Sequence, residues 1–484
     1  MNASMLDPSA VIATDKPQSS PPSGEPSRFL SQAECEQLKR TIDSLAVGGG
    51  LTGIYIQSDW VGNLRWARNA ITTAGDTRDY RLTIQRSIRN AVGEAEVNQI
   101  EGPGVEAAVR RAERFSLMSR ESAWVDWRIP PSLEAMTLAP EVYARPVIWS
   151  DSTYDFDPDH RADMMQELIQ PAVKAGMMAA GYLQVEAHGR SVIGSTGAVM
   201  YYPYTQAQYS VTVRDPKGSA SGWAGLDHYD WAKIDGKKLS EIAVEKCLMS
   251  RNAVAVEPGR WTVILEPQAV CDFTSMAFSE DSLLRIFNEG GRPWPYYKQG
   301  TRDSRIGERI FDPRIDVTMT CTDPDMGFAP FTYDGQVYHP TTWVEQGVLK
   351  TLSHDRRYGV RMLGSVHGRP TEGAYAMSGG TATIEEMVET TTRGLRITRF
   401  SNVQITDMGS LLSTGYTRDG VWLIERGKIT KPVKNFRFTE SPLFALNNVE
   451  QLGVPQRVFH PRAPVVVPPL KIRDFSLTSL ADAV

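Results

Sequence analysis

The spacing of hydrophobic residues changes in blocks along the chain. In SQAECEQLKRTIDSLA, apolar residues recur at helical spacing behind Ser31, a residue type suited to capping, which predicts an amphipathic helix. Residues 53–57, 64–68 and 80–84 instead alternate apolar and polar, the period of half-buried strands in one antiparallel sheet. Residues 105–115 return to helical spacing. A second block, 138–252, predicts a helix over 161–182, started or interrupted near Pro171. Strands over 181–188, 198–202 and 209–214 follow, then a helix over 238–251 with Leu239, Ile242, Ala243 and Cys247 facing a core.

From about residue 258 onward strands dominate. Trp261-Thr262-Val263-Ile264-Leu265 has the composition of a buried strand, and it feeds straight into a helix. Glu266 takes the N-cap position and Pro267 the first helical position, where a missing N–H costs nothing. Ala269, Val270, Phe273 and Ala277 share one face of that helix, and Gln268, Asp272 and Ser275 share another. A further helix is predicted over 442–452, with Ser441 as cap, Pro442 at its first position and Gly453 past its end. Asp334-Gly335 marks a hairpin, and 343–349 and 422–429 read as two more hairpin tips. No fixed-period repeat is present. These blocks divide the chain into a Ser/Pro-rich tail (1–28), an N-terminal α/β domain (29–120), a middle α/β domain (138–252) and a β-rich C-terminal domain (256–484).

Composition narrows the partners. The chain has 484 residues, 41% hydrophobic and 23% charged, enough for two or three cores of an ordinary globular protein. The net charge is -5 and no Lys/Arg run stands out, which argues against binding nucleic acid through phosphates. No apolar run approaches the roughly 20 residues that span a bilayer, and residues 1–27 lack signal-peptide architecture. Cys35, Cys247, Cys271 and Cys321 are scattered, as suits a reducing cytoplasm. The expectation is a cytoplasmic protein with neither membrane nor nucleic acid among its partners.

Few motifs carry chemistry. GGGLTG (48–53) matches G-x-G-x-x-G formally, but a helix precedes it and a strand follows. That order is the reverse of a dinucleotide loop, and a flexible turn fits better. None of the seven histidines is followed by Glu, so no helix-borne zinc peptidase motif of His-Glu type exists. His339, His354 with Asp355, and His367 can converge only if the fold brings them together. Cys271 lies near a helix start, where a nucleophilic thiol is conceivable, but a small packing residue fits better. The carboxylates around His160 in DPDHRAD (157–163) read as a helix N-terminus in preference to an acid/base group. Trp223, Tyr229 and Trp231, with Trp294, Tyr296 and Tyr297, suit either packing or the wall of a groove.

Taken in order, several segments resemble the TldD/PmbA (TldD/TldE) family of metallopeptidase-related proteins. They are LRWARNAITTAG (64–75), GSTGAVMYYPYTQAQYSVTVR (194–214), SGWAGLDHYDW (221–231), EPGRWTVILEPQAV (257–270), IGERIFDPRIDV (306–317) and GVWLIERGKITKPVKNFRFTESPLFALNNVEQLG (420–453). The resemblance implies an α+β fold, with antiparallel sheets and helices in the N-terminal half and a β-rich C-terminal domain. The family's catalytic subunits carry His-Glu-x-x-x-His on the helix that here reads PQAVCDFTSMAF, and a metal-binding Cys near the C-terminus. This chain has neither. It therefore resembles the PmbA/TldE-like branch, which implies a zinc-less subunit. Such a subunit pairs with a TldD-like catalytic partner that holds the zinc, as a heterodimer processing short or unstructured peptides. Candidate substrate-binding residues are Gln268, Asp272 and Ser275. Gly373 and Ser378, and Ser413 and Thr414, lie in small polar segments that fit ordinary turns or a groove wall. The alternatives are a stand-alone metal-independent hydrolase using Cys271 or the 157–163 cluster, and a regulatory binding protein of gyrase-modulator type.

Overall fold

The computed structural model describes residues 28–89, 91–121, 147–195, 197–278, 295–298, 301, 303–321, 323–354, 356, 359, 363–365 and 367–481. The expected tail lies outside them except for Arg28, as do Trp294 and Asp355.

Helix α1 (Gln32–Leu45) opens on a capping box. The Ser31 hydroxyl accepts the Glu34 N–H at 3.3 Å, and the Glu34 carboxylate accepts the Ser31 N–H at 2.7 Å. Three glycines at positive φ, Gly48, Gly49 and Gly50, then turn the chain into β1 (Leu51–Ala67), so the first half of GGGLTG forms a turn and the second half already belongs to the strand. β2 (Ala70–Ile88), β3 (Ala91–Val97), α2 (Pro103–Glu121), α3 (Asp151–Tyr154) and α4 (Pro158–Lys174) follow. Then come β4 (Met178–Ile193), β5 (Val199–Arg214), β6 (Ser221–His228) and α5 (Gly236–Met249). The strands form one antiparallel sheet in the order β3-β2-β1-β4-β5-β6. Segments 29–120 and 138–252 are thus joined edge to edge through the β1–β4 ladder.

Several expected boundaries shift. Segments 53–57 and 64–68 belong to one strand, because alternation continues through inward Ser58, Trp60 and Gly62. Ser58 is satisfied there by accepting the Leu30 N–H at 2.8 Å. Segments 198–202 and 209–214 likewise fuse in β5. The helix predicted over 161–182 starts earlier, at Pro158 behind the Asp157 cap. It ends at Lys174, where Gly176 at positive φ turns the chain into β4. The 157–163 carboxylates do form a helix N-terminus. α5 packs closely on β6, since a Cβ at Gly222 would lie 2.1 Å from the Ala243 carbonyl oxygen.

In the C-terminal part, β7 (Gly259–Leu265) runs into α6 (Pro267–Phe278), as expected. Short strands β8 (Val317–Met319), β9 (Thr341–Glu345), β10 (Val348–Leu349) and β11 (Tyr375–Met377) follow, then α7 (Ile384–Glu389). β12 (Arg393–Asp407), β13 (Leu412–Glu425), β14 (Lys428–Pro432), β15 (Phe436–Glu440), α8 (Pro442–Ala445) and β16 (Val449–Leu452) come next. β17 (Gln456–Arg457), β18 (Val465–Val467) and β19 (Leu470–Leu480) complete the order. The helix predicted over 442–452 therefore stops at Ala445. Asn447 donates its amide to the Leu443 and Ile310 carbonyls at 2.8 and 2.7 Å, closing the helix end, and residues 449–452 pair with β19 instead. The three expected hairpins form, with Gly335, Gly347 and Gly427 at positive φ.

Among the described residues these strands make two sheets. One has the order β10-β9-β8-β11-β18-β17. In the other, β12-β7-β19-β15-β13 closes into a ring because β12 also pairs with β13, while β14 and β16 pair outside it. The apolar face of α6 packs into this core. Phe273 meets Phe400, Phe438 and Phe475 at centroid distances of 6.2, 5.9 and 5.3 Å. A smaller core joins the first sheet to the C-terminal part: Val192, Met200 and Tyr202 pack with Phe331 and Val337.

Candidate functional site

The start of α6 sits at the meeting point of three elements. Glu266 accepts the Val270 N–H through its carbonyl at 3.0 Å, as an N-cap residue does. Its carboxylate is directed elsewhere, to Lys246 of α5 at 2.7 Å and to Arg396 of β12 at 2.7 and 2.8 Å. Burial alone would raise the Glu266 pKa, but the two cations outweigh it and hold the carboxyl below its ordinary value.

The polar face of α6 is committed to internal bonds. Gln268 donates to Asp272 Oδ1 at 2.9 Å and to the Phe459 carbonyl at 3.1 Å, and it accepts the Phe459 N–H at 3.1 Å. The other oxygen of Asp272 accepts the Phe400 N–H at 2.8 Å. Burial pushes the Asp272 pKa up, against the pull of Arg399 and its hydrogen bonds. Ser275 donates back to the Cys271 carbonyl. Cys271 is buried, and burial together with Asp272 pushes its thiol well up, the wrong direction for a nucleophile. The polar face of α6 thus presents an amide and a carboxylate that are already bonded to backbone. Among the described residues no three His, Cys, Asp or Glu side chains form a metal-ligand group, His339, His354 and His367 included.

The remaining candidates are dispersed. Gly373 is a positive-φ turn residue beside Thr371 and Glu372, which line the large cleft described below. Ser378 bonds the Arg314 carbonyl at 2.9 Å and the Asp316 N–H at 2.7 Å. Ser413 is fully buried and donates to the Leu411 carbonyl at 3.0 Å, and Thr414 donates to the Phe438 carbonyl at 2.9 Å. Gln268, Asp272 and Ser275 thus share a helix face, while the other four sit in separate structural bonds. Of the aromatic residues, Trp231 packs in the core against Phe156 and Tyr296 is buried below Ala277, whereas Tyr229 lines the cleft.

A cleft of about 540 Å³ opens between the first sheet and the C-terminal part. Tyr55, Arg190 and Tyr204 come from the sheet, and Tyr338, Glu372 and Arg457 from the opposite side. Tyrosine hydroxyls and charges of both signs are the groups that hold a peptide backbone and its termini. The cleft-facing side of the sheet carries a buried charged network that includes Arg190 and Tyr204. His188 Nδ1 lies 2.7 Å from Asp59 and Nε2 lies 3.2 Å from Glu186, so both ring nitrogens meet carboxylates. Arg190 also bonds Asp59, and the Tyr204 ring stacks on His188 at 4.5 Å. Burial alone would lower the His188 pKa, but Asp59 and Glu186 raise it. Burial would raise that of Asp59, yet the bond from His188 and the Arg190 charge bring it to about 2. Sequence reading took His188 as one of seven single histidines. The signal available was Glu186, His188 and Arg190 at alternate positions, on one face of a single strand.

The comparisons with known proteins agree with this architecture. The family model for the PmbA/TldA metallopeptidase C-terminal domain matches residues 258–479. No curated protein matches the chain by sequence. TldE from Thermococcus kodakarensis is similar in structure, with TM-score 0.76 at 16% identity, over 92% of this chain and 100% of that one. A protein from Thermotoga maritima, described as a candidate modulator of a DNA gyrase, gives TM-score 0.75 at 15% identity over 92% and 100%. A similarly described protein from Bacteroides thetaiotaomicron gives 0.73 at 15% over 93% and 100%. Residues 258–479 thus belong to the PmbA/TldD metallopeptidase C-terminal domain family, and nearly the whole chain shares the fold of TldE.

Proposed function

We propose that this chain is the zinc-less subunit of a TldD/TldE-type heterodimeric peptidase acting on short or unstructured peptides. The observation that carries the reading is the polar face of α6. Where the catalytic branch has a zinc motif, Gln268 and Asp272 are tied to the Phe459 and Phe400 backbones. In this reading the partner supplies metal and hydrolysis, and this chain supplies part of the substrate chamber, including the cleft lined by Tyr55, Arg190 and Glu372. An extended peptide lying there finds donors and acceptors of both kinds along its backbone.

The test is co-expression with a TldD-like protein whose gene neighbours this one. The two chains are expected to co-purify, to cleave unstructured peptides only together, and to lose activity with a chelator. Zinc analysis is expected to place the metal in the partner, and Cys271→Ala is expected to leave cleavage unchanged. Chelator-insensitive cleavage by this chain alone, abolished in Cys271→Ala, would overturn the reading in favour of a stand-alone hydrolase.

A further inference from the structure

The cleft between the first sheet and the C-terminal part carries unbalanced charge of opposite sign at its two ends. At one end β3 contributes Glu94 and Glu96, both exposed. Arg81 of β2 faces Glu96 at 3.5 Å, whereas Glu94 takes the neutral Gln85 amide at 2.8 Å. Two carboxylates against one guanidinium leave that end with a negative charge in excess. At the other end Asp227 balances Arg457 at 2.8 Å. Arg462, exposed and lining the cleft, has no ion pair among the described residues. Its neighbour Pro461 is tied through its carbonyl to Gln206 of β5 at 2.8 Å, which fixes where the excess positive charge lies.

Strand register gives the distance between the ends. Glu96 stands in the row of Thr83 and Tyr55, and Gln206 in the row of Glu186 and Val61. The order β3-β2-β1-β4-β5 separates the two by four strand spacings. Four spacings of about 4.8 Å, with six residues of about 3.4 Å along β1, make a diagonal of roughly 28 Å in a flat sheet. An extended chain advances about 3.3–3.6 Å per residue, so about eight residues cover that span. Between the ends the sheet offers Tyr55, Arg190 and Tyr204. From the opposite side Tyr333 is 57% exposed and meets Tyr55 edge-on at 6.3 Å. Rings of this kind take apolar side chains, while hydroxyl and guanidinium groups bond peptide carbonyls.

We propose that the cleft binds a free peptide of about eight residues end to end, its α-ammonium at Glu94 and its α-carboxylate at Arg462. The inference rests on the cleft being part of a substrate chamber, and it adds a direction, a length and a need for free termini. An internal segment of a longer chain brings neither terminal charge and is the weaker ligand.

The experiment is isothermal titration of the full chain with the octapeptide Gly-Ser-Ala-Tyr-Gly-Ser-Ala-Leu, used free, N-acetylated, C-amidated and doubly capped. Each cap is expected to weaken binding about fivefold, the size of an exposed charge pair. Arg462→Gln is expected to weaken the free peptide by the same factor and to leave the amidated one unchanged. Glu94→Gln is expected to weaken the free peptide and to leave the acetylated one unchanged. Both side chains are exposed, so neither substitution disturbs the core. Caps without effect, variants that act equally on free and capped peptides, or no binding at all overturn the proposal. The heterodimer reading falls separately. Cap-sensitive binding by a chain that joins no peptidase sinks that reading and leaves the site. A cleaving heterodimer indifferent to the caps and to Arg462→Gln does the reverse.

Discussion

Glu266 shows how much one side chain can carry here. It is buried and paired with both Lys246 of α5 and Arg396 of β12. Glu266→Gln leaves two cations with no counter-charge and is expected to cost about 3–5 kcal/mol, read as a shift of the urea midpoint. Its pKa is depressed in the fold, so its contribution is present above the unfolded value near 4.3 and fades as pH falls through the folded one. His188 acts in the opposite direction. Its pKa is raised, so its contribution is full below about 6.5 and is lost as pH rises through the folded value. Wild type is expected to lose melting temperature on that alkaline limb, and His188→Gln is expected to flatten it. An equally steep limb in the variant would show that other groups set it.

At the scale of elements, close packing depends on what is missing from a side chain. Gly222 lets the backbone of α5 lie against β6, and Gly222→Ala must push the helix away. The expected cost is about 1–3 kcal/mol, measured by chemical denaturation, with the helical signal retained below the transition. Much of this level was legible in the sequence. Ser31, Pro267 and Ser441 mark true helix starts, and the strand-to-helix unit at β7–α6 forms as its pattern predicts. What the pattern hid was continuity. Ser58 and Gly62 point inward in β1, where a reader of hydrophobic alternation looks for large apolar residues. The end of α8 was hidden for a related reason, since Asn447 closes the helix through a carbonyl of distant Ile310. The candidate site was half legible. Gln268 and Asp272 share a face by helical spacing alone, but their partners Phe459 and Phe400 lie more than a hundred positions away.

For the whole molecule, the joint between the first sheet and the C-terminal part decides behaviour. Asp227 is buried and binds Arg457 across that joint, near the core shared by Val192, Met200, Phe331 and Val337. Asp227→Ala removes the carboxylate facing Arg457, leaving it only the Asp227 and Asp325 carbonyls, and is expected to split a single calorimetric transition into two. A single sharp transition in the variant would show that the apolar joint suffices. The ring in the C-terminal part also has a consequence in time. β19 lies between β7 and β15, although some 200 residues of synthesis separate it from β7. A ribosome therefore releases Trp261–Leu265 long before residues 470–480 exist to cover that edge. Contacts so distant along the chain form slowly. During translation this half waits as an open, sticky strand, and a holdase chaperone is the natural guardian of that interval.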